Sequence, residues 1–197
     1  MNRLIITILI ASFFISACTP TSKLAKAGIS FNEGDDFIYE VIDGDEKYNF
    51  NINLNGIEDY YISFDWEIPQ NDISGAIYMN ETAITSATEL HNYMEKGYLK
   101  LTDKTSAWIS KAVFEDIKDG NIVRLGLGEK RESFRLYDET TYEFGMKMGK
   151  PYVIPVIVMA NDDNSKKIWV ADDKDNCLIV MMELDFNIRL VDFQAFR

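Results

Sequence analysis

Phe37-Ile38-Tyr39-Glu40-Val41-Ile42, Tyr48-Asn49-Phe50-Asn51-Ile52-Asn53-Leu54 and Tyr60-Tyr61-Ile62-Ser63-Phe64-Asp65-Trp66-Glu67-Ile68 decide the fold class. In the second stretch Tyr48, Phe50, Ile52 and Leu54 alternate with asparagines. A period of two places all four apolar side chains on one face of a strand and leaves the other face wet. The third stretch repeats the pattern, and the first is rich in residues that favour strands. Asp43-Gly44 and Asn55-Gly56 lie between the three, and both pairs tolerate the positive φ of a two-residue hairpin turn. Three successive antiparallel strands are therefore expected. Pro69 to Ser74 interrupts them, and Gly75 to Met79 is a candidate fourth.

The middle of the chain changes period. Ser86-Ala87-Thr88-Glu89 matches a capping box, and Ala83, Ala87, Leu90 and Met94 recur at helical spacing before Gly97. A second helix is expected over Ser110 to Lys118. Ser110 is its N-cap, Val113, Phe114 and Ile117 are its apolar stripe, and Gly120 is its stop. The helical insert thus spans about 83–119. Strands are predicted again over Ile122–Leu127, Glu132–Tyr137 and Thr141–Met148, then Tyr152–Met159, Lys167–Ala171, Leu178–Leu184 and Phe186–Phe193. Pro155 cannot donate to a ladder, which places its strand at an edge or a bulge.

The first eighteen residues stand apart. Arg3 precedes an uncharged apolar run, Leu4 to Ile15, that is shorter than the roughly 20 residues a spanning helix needs. It suits the core of a secretory signal. The run ends in Ile15-Ser16-Ala17-Cys18, which resembles the lipobox of bacterial lipoproteins. That resemblance implies cleavage before Cys18 and acylation of its thiol and new amino group, with palmitate-type chains as the membrane anchor. A plain signal peptide is the competing reading. The expected organisation is a leader over 1–17, a small-residue polar tether over 18–30 and one domain over 31–197. Thr19 and the lack of an acidic cluster beside Cys18 favour an outer-membrane protein facing the periplasm over surface display.

Composition narrows the partners. The chain carries 20 basic and 32 acidic residues, and losing Arg3 with the leader leaves a formal charge of −13. Such a body repels phosphate backbones, so no nucleic-acid partner is expected, nor a polybasic grip on lipid heads. With Cys18 acylated, Cys177 has no thiol partner in the chain. Set in Cys177-Leu178-Ile179-Val180-Met181-Met182, it reads as a buried, inert thiol.

Catalytic and metal sites find little support. His91, the only histidine, reads as a surface or boundary residue of the first helix, and no Gly-x-Ser-x-Gly elbow exposes a nucleophile. One histidine and one cysteine cannot close a zinc site, so no cofactor or metal is assigned. Asp162-Asp163-Asn164 and Asp172 to Asn176 gather hard oxygen ligands but lack calcium-loop spacing, and acidic turns explain them. Arg124, Lys130, Arg131 and Arg135 read as solvated strand faces. A hydrolase with a carboxylate pair remains a third reading, because spacing in space cannot be read from sequence.

The aromatics are the remaining feature. Tyr60, Tyr61, Trp66, Tyr78, Trp108, Tyr142, Phe144, Tyr152 and Trp169 pack a core or line a groove under a curved sheet. Trp66, Trp108, Tyr142 and Trp169 are the candidate ligand-binding residues. Lys167-Ile168-Trp169-Val170-Ala171-Asp172-Asp173, Cys177 to Met181 and Phe186 to Leu190 resemble the last strands of uncharacterised periplasmic domains of lipoprotein-carrier-like shape. Here Cys177 stands where those domains often carry proline. The resemblance implies an α+β, mainly β fold: a large, half-barrel-like antiparallel sheet with two short helices from the middle segment packed on one side. It implies no established activity. The expectation is an acylated envelope protein that binds an apolar ligand in its groove, or alternatively docks an envelope protein.

Overall fold

The structure, a computed structural model, describes residues 31–147 and 150–196. The leader, Cys18 and the tether lie outside the described residues. Twelve strands form one strongly curled, half-barrel-like sheet in the order β5-β7-β8-β9-β10-β11-β12-β1-β2-β3-β4-β6. All neighbours are antiparallel except the β4–β6 and β5–β7 pairs. Two short helices are the only α-helical elements among the described residues, and none of these residues forms a helix long and apolar enough to cross a membrane.

The alternation in the first third builds β1 (Asp36–Asp43), β2 (Glu46–Glu58), β3 (Tyr61–Ile68) and β4 (Ile73–Asn80). Their buried faces carry Phe37, Tyr39, Phe50, Ile52, Leu54, Phe64, Trp66, Ile77 and Met79. The first turn falls at Gly44, whose φ is +57°. The second does not fall at Asn55-Gly56. β2 continues through that pair, which forms a bulge opposite β3, and the chain reverses at Asp59-Tyr60. Packing explains the glycine: a Cβ at Gly56 would lie 2.6 Å from the Tyr61 hydroxyl. The Tyr61 ring stacks on Tyr78 at 5.6 Å between centroids.

The expected first helix also begins elsewhere. α1 (Glu81–Ser86) has Asn80 as its N-cap, with the side-chain oxygen accepting from the Ala83 N–H at 3.0 Å. Ser86 donates to the Thr82 carbonyl and lies in the last turn, so the capping-box match was spurious. No helix follows before residue 102: the chain runs through β5 (Glu89–Leu90), the irregular residues 91–96 and β6 (Gly97–Leu101). The second helix matches its expectation. α2 (Lys111–Lys118) is capped by Ser110 and followed by Gly120 at φ +81°. Eight residues are too few for a stable isolated helix; burial of Val113, Phe114 and Ile117, roughly 1.5–3 kcal/mol each, holds it in place.

After β7 (Val123–Leu127), the two strands expected over 132–148 are one, β8 (Lys130–Lys147), bulged between Leu136 and Asp138. β9 (Lys150–Asn161) pairs with β8 along its length, but with β10 (Lys167–Ala171) only through Val156 to Ala160. Pro155 sits just past the end of the β10 ladder, where the edge position expected for it exists locally, and its carbonyl accepts from the Asp172 N–H at 2.9 Å. The free half of the β8–β9 hairpin folds against the sheet. The Tyr142 hydroxyl donates to the Leu190 carbonyl, and Tyr152 meets Phe193 edge-on. β11 (Ile179–Glu183) and β12 (Asn187–Gln194) return the chain to β1.

The core falls into two apolar clusters. One is built on β1–β4 with α1, Trp108, Phe144, Ile154 and Phe193. The other is built on β7–β11 with α2. The two helices touch each other, although each buries its apolar side chains in a different cluster. Phe186 and Ile188 pack against both clusters and mark the seam between them.

Candidate functional site

Topology sets up the seam. β5 and β6 are consecutive in the chain but stand at opposite ends of the strand order. Residues 91–96, without regular structure, must therefore cross the open side of the curled sheet. The chain crosses back over 102–110. The two crossings are tied where Thr105 bridges to Leu90, with the His91 N–H donating to the Thr105 carbonyl at 2.7 Å. Farther along, the Ile179 N–H donates to the Ala107 carbonyl and the Ile109 N–H to that of Cys177. These bonds hold Ala107 at φ +58°, a left-handed conformation that costs an L-residue roughly 1–2 kcal/mol. Such strain persists only where surrounding contacts over-determine it.

Between these crossings and the sheet lies a cavity of about 310 Å³. Tyr39 and Val41 of β1, Phe50 of β2, Ile179 and Met182 of β11 and Ile188 of β12 form its apolar walls, and Leu90 to Met94, Ser106 and Ala107 cover it. Asp43, exposed, is the acidic residue of the lining, which includes no lysine or arginine. The Tyr39 hydroxyl is already used: it donates to the Ile179 carbonyl at 2.9 Å, and burial pushes its pKa far up.

Two polar atoms of the lining are not used. His91 is 5% exposed and Ser106 is 0% exposed, and neither His91 Nε2 nor Ser106 Oγ has a hydrogen-bond partner. Each such buried orphan costs about 1–3 kcal/mol. Burial, then the Lys104 charge, pushes the His91 pKa below the usual value. Glu95 and a hydrogen bond to the Tyr93 backbone oppose the shift without reversing it. In a neutral ring one nitrogen carries the proton and the other a lone pair, so Nε2 can accept or donate according to tautomer. The Tyr93 ring covers the imidazole at 4.1 Å between centroids.

The expectation that His91 is a surface or boundary residue of a helix is thus overturned. It is a buried residue of an irregular crossing, and no helical face carries it. Because both atoms are unpartnered, His91 and Ser106 do not bond to each other. The base–nucleophile hydrogen bond that activates a serine is not made.

The four aromatic residues expected to bind ligand do not meet in one place. Trp66 is buried in the first cluster and borders a groove on the opposite face of β1–β4. Trp108 is 1% exposed, its Nε1 donates to Asn176 Oδ1 at 2.8 Å, and it lines a small separate cavity with Cys177. Tyr142 and Trp169 pack against the first cluster, and neither lines the seam cavity. Residue type alone pointed to aromatics. The two orphaned polar side chains carried no sequence signal beyond His91 being the only histidine.

The remaining candidates are accounted for locally. Burial, with the nearby Asp173 charge, raises the Cys177 thiol to about 12, and its Sγ–H points at the Asp173 and Lys174 carbonyls. Asp163 accepts from the Ser165 N–H and hydroxyl, Asp173 accepts from the Asp175 N–H, and Asp172 pairs with Lys118. Arg131 pairs with Glu89, and Arg135 lies near Asp162. The chain matches no protein-family model, no curated protein and no solved structure.

Proposed function

We propose that the protein is an envelope lipoprotein, anchored through acylated Cys18 at the periplasmic face of the outer membrane, whose domain binds a small apolar molecule in the seam cavity. The observation that carries the binding reading is the cavity itself. It is walled by apolar side chains from two packed clusters, roofed by two chain crossings, and lies at the small end of the roughly 300–1,000 Å³ range of ligand pockets. The anchor reading rests on the uncharged run ending in Ile15-Ser16-Ala17-Cys18.

Each half has its own test. Cys18→Ala should release the protein from membranes and abolish incorporation of a fatty-acid analogue; undiminished incorporation overturns the anchor. For binding, the fluorescence of N-phenyl-1-naphthylamine should rise saturably with the full chain and fail to rise with Ile188→Trp, which fills the cavity. An equal rise in both proteins places the apolar site elsewhere.

A further inference from the structure

We propose that the ligand is amphipathic and that its head is an un-ionised hydrogen-bonding group of the hydroxyl class, seated between His91 Nε2 and Ser106 Oγ. This rests on the reading of the seam cavity as a ligand site, and it adds what that reading leaves open: the chemistry of the ligand's polar end.

Buried polar atoms in folded proteins are paired in the great majority of cases, so two orphans in the lining of one cavity call for a shared explanation. Here the two atoms are complementary to one group. Neutral His91 offers a lone pair or an N–H at Nε2, according to tautomer, and Ser106 offers an O–H that can donate or accept. A ligand hydroxyl satisfies both in either tautomer, donating to one of the two atoms and accepting from the other. The strained Ala107 immediately after Ser106, pinned by the Ile179 N–H, holds this serine in a chain conformation that a relaxed residue would leave.

The same lining argues against a charged head. It contains no lysine or arginine, and its one acid, Asp43, would repel a carboxylate or phosphate entering the cavity. Lys104 and Glu95 act on the imidazole from outside the lining with opposite signs. A buried anion would thus have no cation to offset its lost hydration. An alkyl or ring body fits the remaining walls, where Met94 and Met182 provide adaptable contacts.

Calorimetric titration separates the possibilities. The full chain, carrying Cys18→Ser so that its own acyl chains do not compete, is titrated with 1-octanol, octane and octanoate at pH 7.5. These probes share a body and differ only at the head. Octanol should bind about tenfold more tightly than octane, the worth of making good buried bonds, and octanoate more weakly than octanol. Ser106→Ala, a near-isosteric change at a site with no bond to lose, should bring octanol and octane within about twofold of each other. His91→Phe should do the same.

Three results overturn the inference, in distinguishable ways. Equal binding of all three probes, abolished by Ile188→Trp, leaves the cavity reading standing and removes the hydroxyl head. Tightest binding by octanoate replaces the neutral head with an anionic one. No binding of any probe removes the cavity reading and this inference together.

Discussion

The same three strands, β1–β3, help line a cavity on one face and a groove on the other, and the two differ in how their polar atoms are treated. The outer groove is the larger, about 720 Å³ against about 310 Å³. It is rich in polar groups, but most of them answer one another. Asn53 Nδ2 donates to Asp36 at 2.7 Å and Asn51 Nδ2 to Glu67 at 2.9 Å, while Asp65, Ser74 and Tyr98 lie where water reaches. Asn51 Oδ1 is its one orphan, a buried atom on a side chain that is otherwise partly exposed and bonded through Nδ2. In the cavity the balance is reversed: few polar groups, with two unanswered atoms on two deeply buried residues. Size alone therefore does not mark a binding site. A pair of unmet bonds in one apolar lining is the more informative sign.

Neighbouring residues of β2 give the sharpest contrast. Phe50, 4% exposed, is a wall of the cavity, and Phe50→Ala should cost about 3–5 kcal/mol in chemical denaturation. Asn53→Ala, on the groove face, should cost under about 1 kcal/mol. Comparable losses would mean that the two faces are not distinguished by burial. A loss between these two is expected for Tyr39→Phe, about 1–3 kcal/mol, because it strands the buried Ile179 carbonyl.

Ser106→Ala should do the opposite and stabilise the ligand-free chain by about 1 kcal/mol, since it removes a buried hydroxyl that bonds nothing. A destabilisation of that size would reveal a partner for Oγ. The pH dependence is gentler still. The folded pKa of His91 is lowered, so between the unfolded value near 6.5 and the folded value only the unfolded chain takes up the proton. Stability should therefore fall as pH drops through that window, and His91→Phe should flatten the slope. Finally, Cys177 should resist alkylation at pH 8 in the Cys18→Ser chain. A thiol raised from 9.0 to about 12 holds about a thousandfold less thiolate, and rapid labelling of the folded chain would contradict its burial.

Local patterns were legible where local physics decides. Period-two alternation placed β2 and β3, and Ser110 with Gly120 bracketed α2, because a cap and a left-handed stop are set by nearby residues. The apolar run after Asn176 foretold a buried Cys177. Legibility failed where distant contacts decide. Asn55-Gly56 has the composition of a turn, yet it is a bulge because Tyr61 needs the space a Cβ would take. Ala83, Leu90 and Met94 share a helical spacing. Only Ala83 is helical; Leu90 is buried and Met94 partly buried because the chain crosses the open sheet there. His91 was misplaced for that reason. Its orphaned nitrogen is a property of the crossing, which no window of sequence contains.

Nitrogen-15 NMR of the sole histidine, recorded while 1-octanol is titrated into the Cys18→Ser chain, probes the seam cavity most directly. The His91 Nε2 resonance should start as that of an unbonded ring nitrogen, shift saturably as it gains a hydrogen bond, and stay unresponsive in Ile188→Trp. A resonance that stays fixed up to the solubility limit of the alcohol would contradict that gain of a bond.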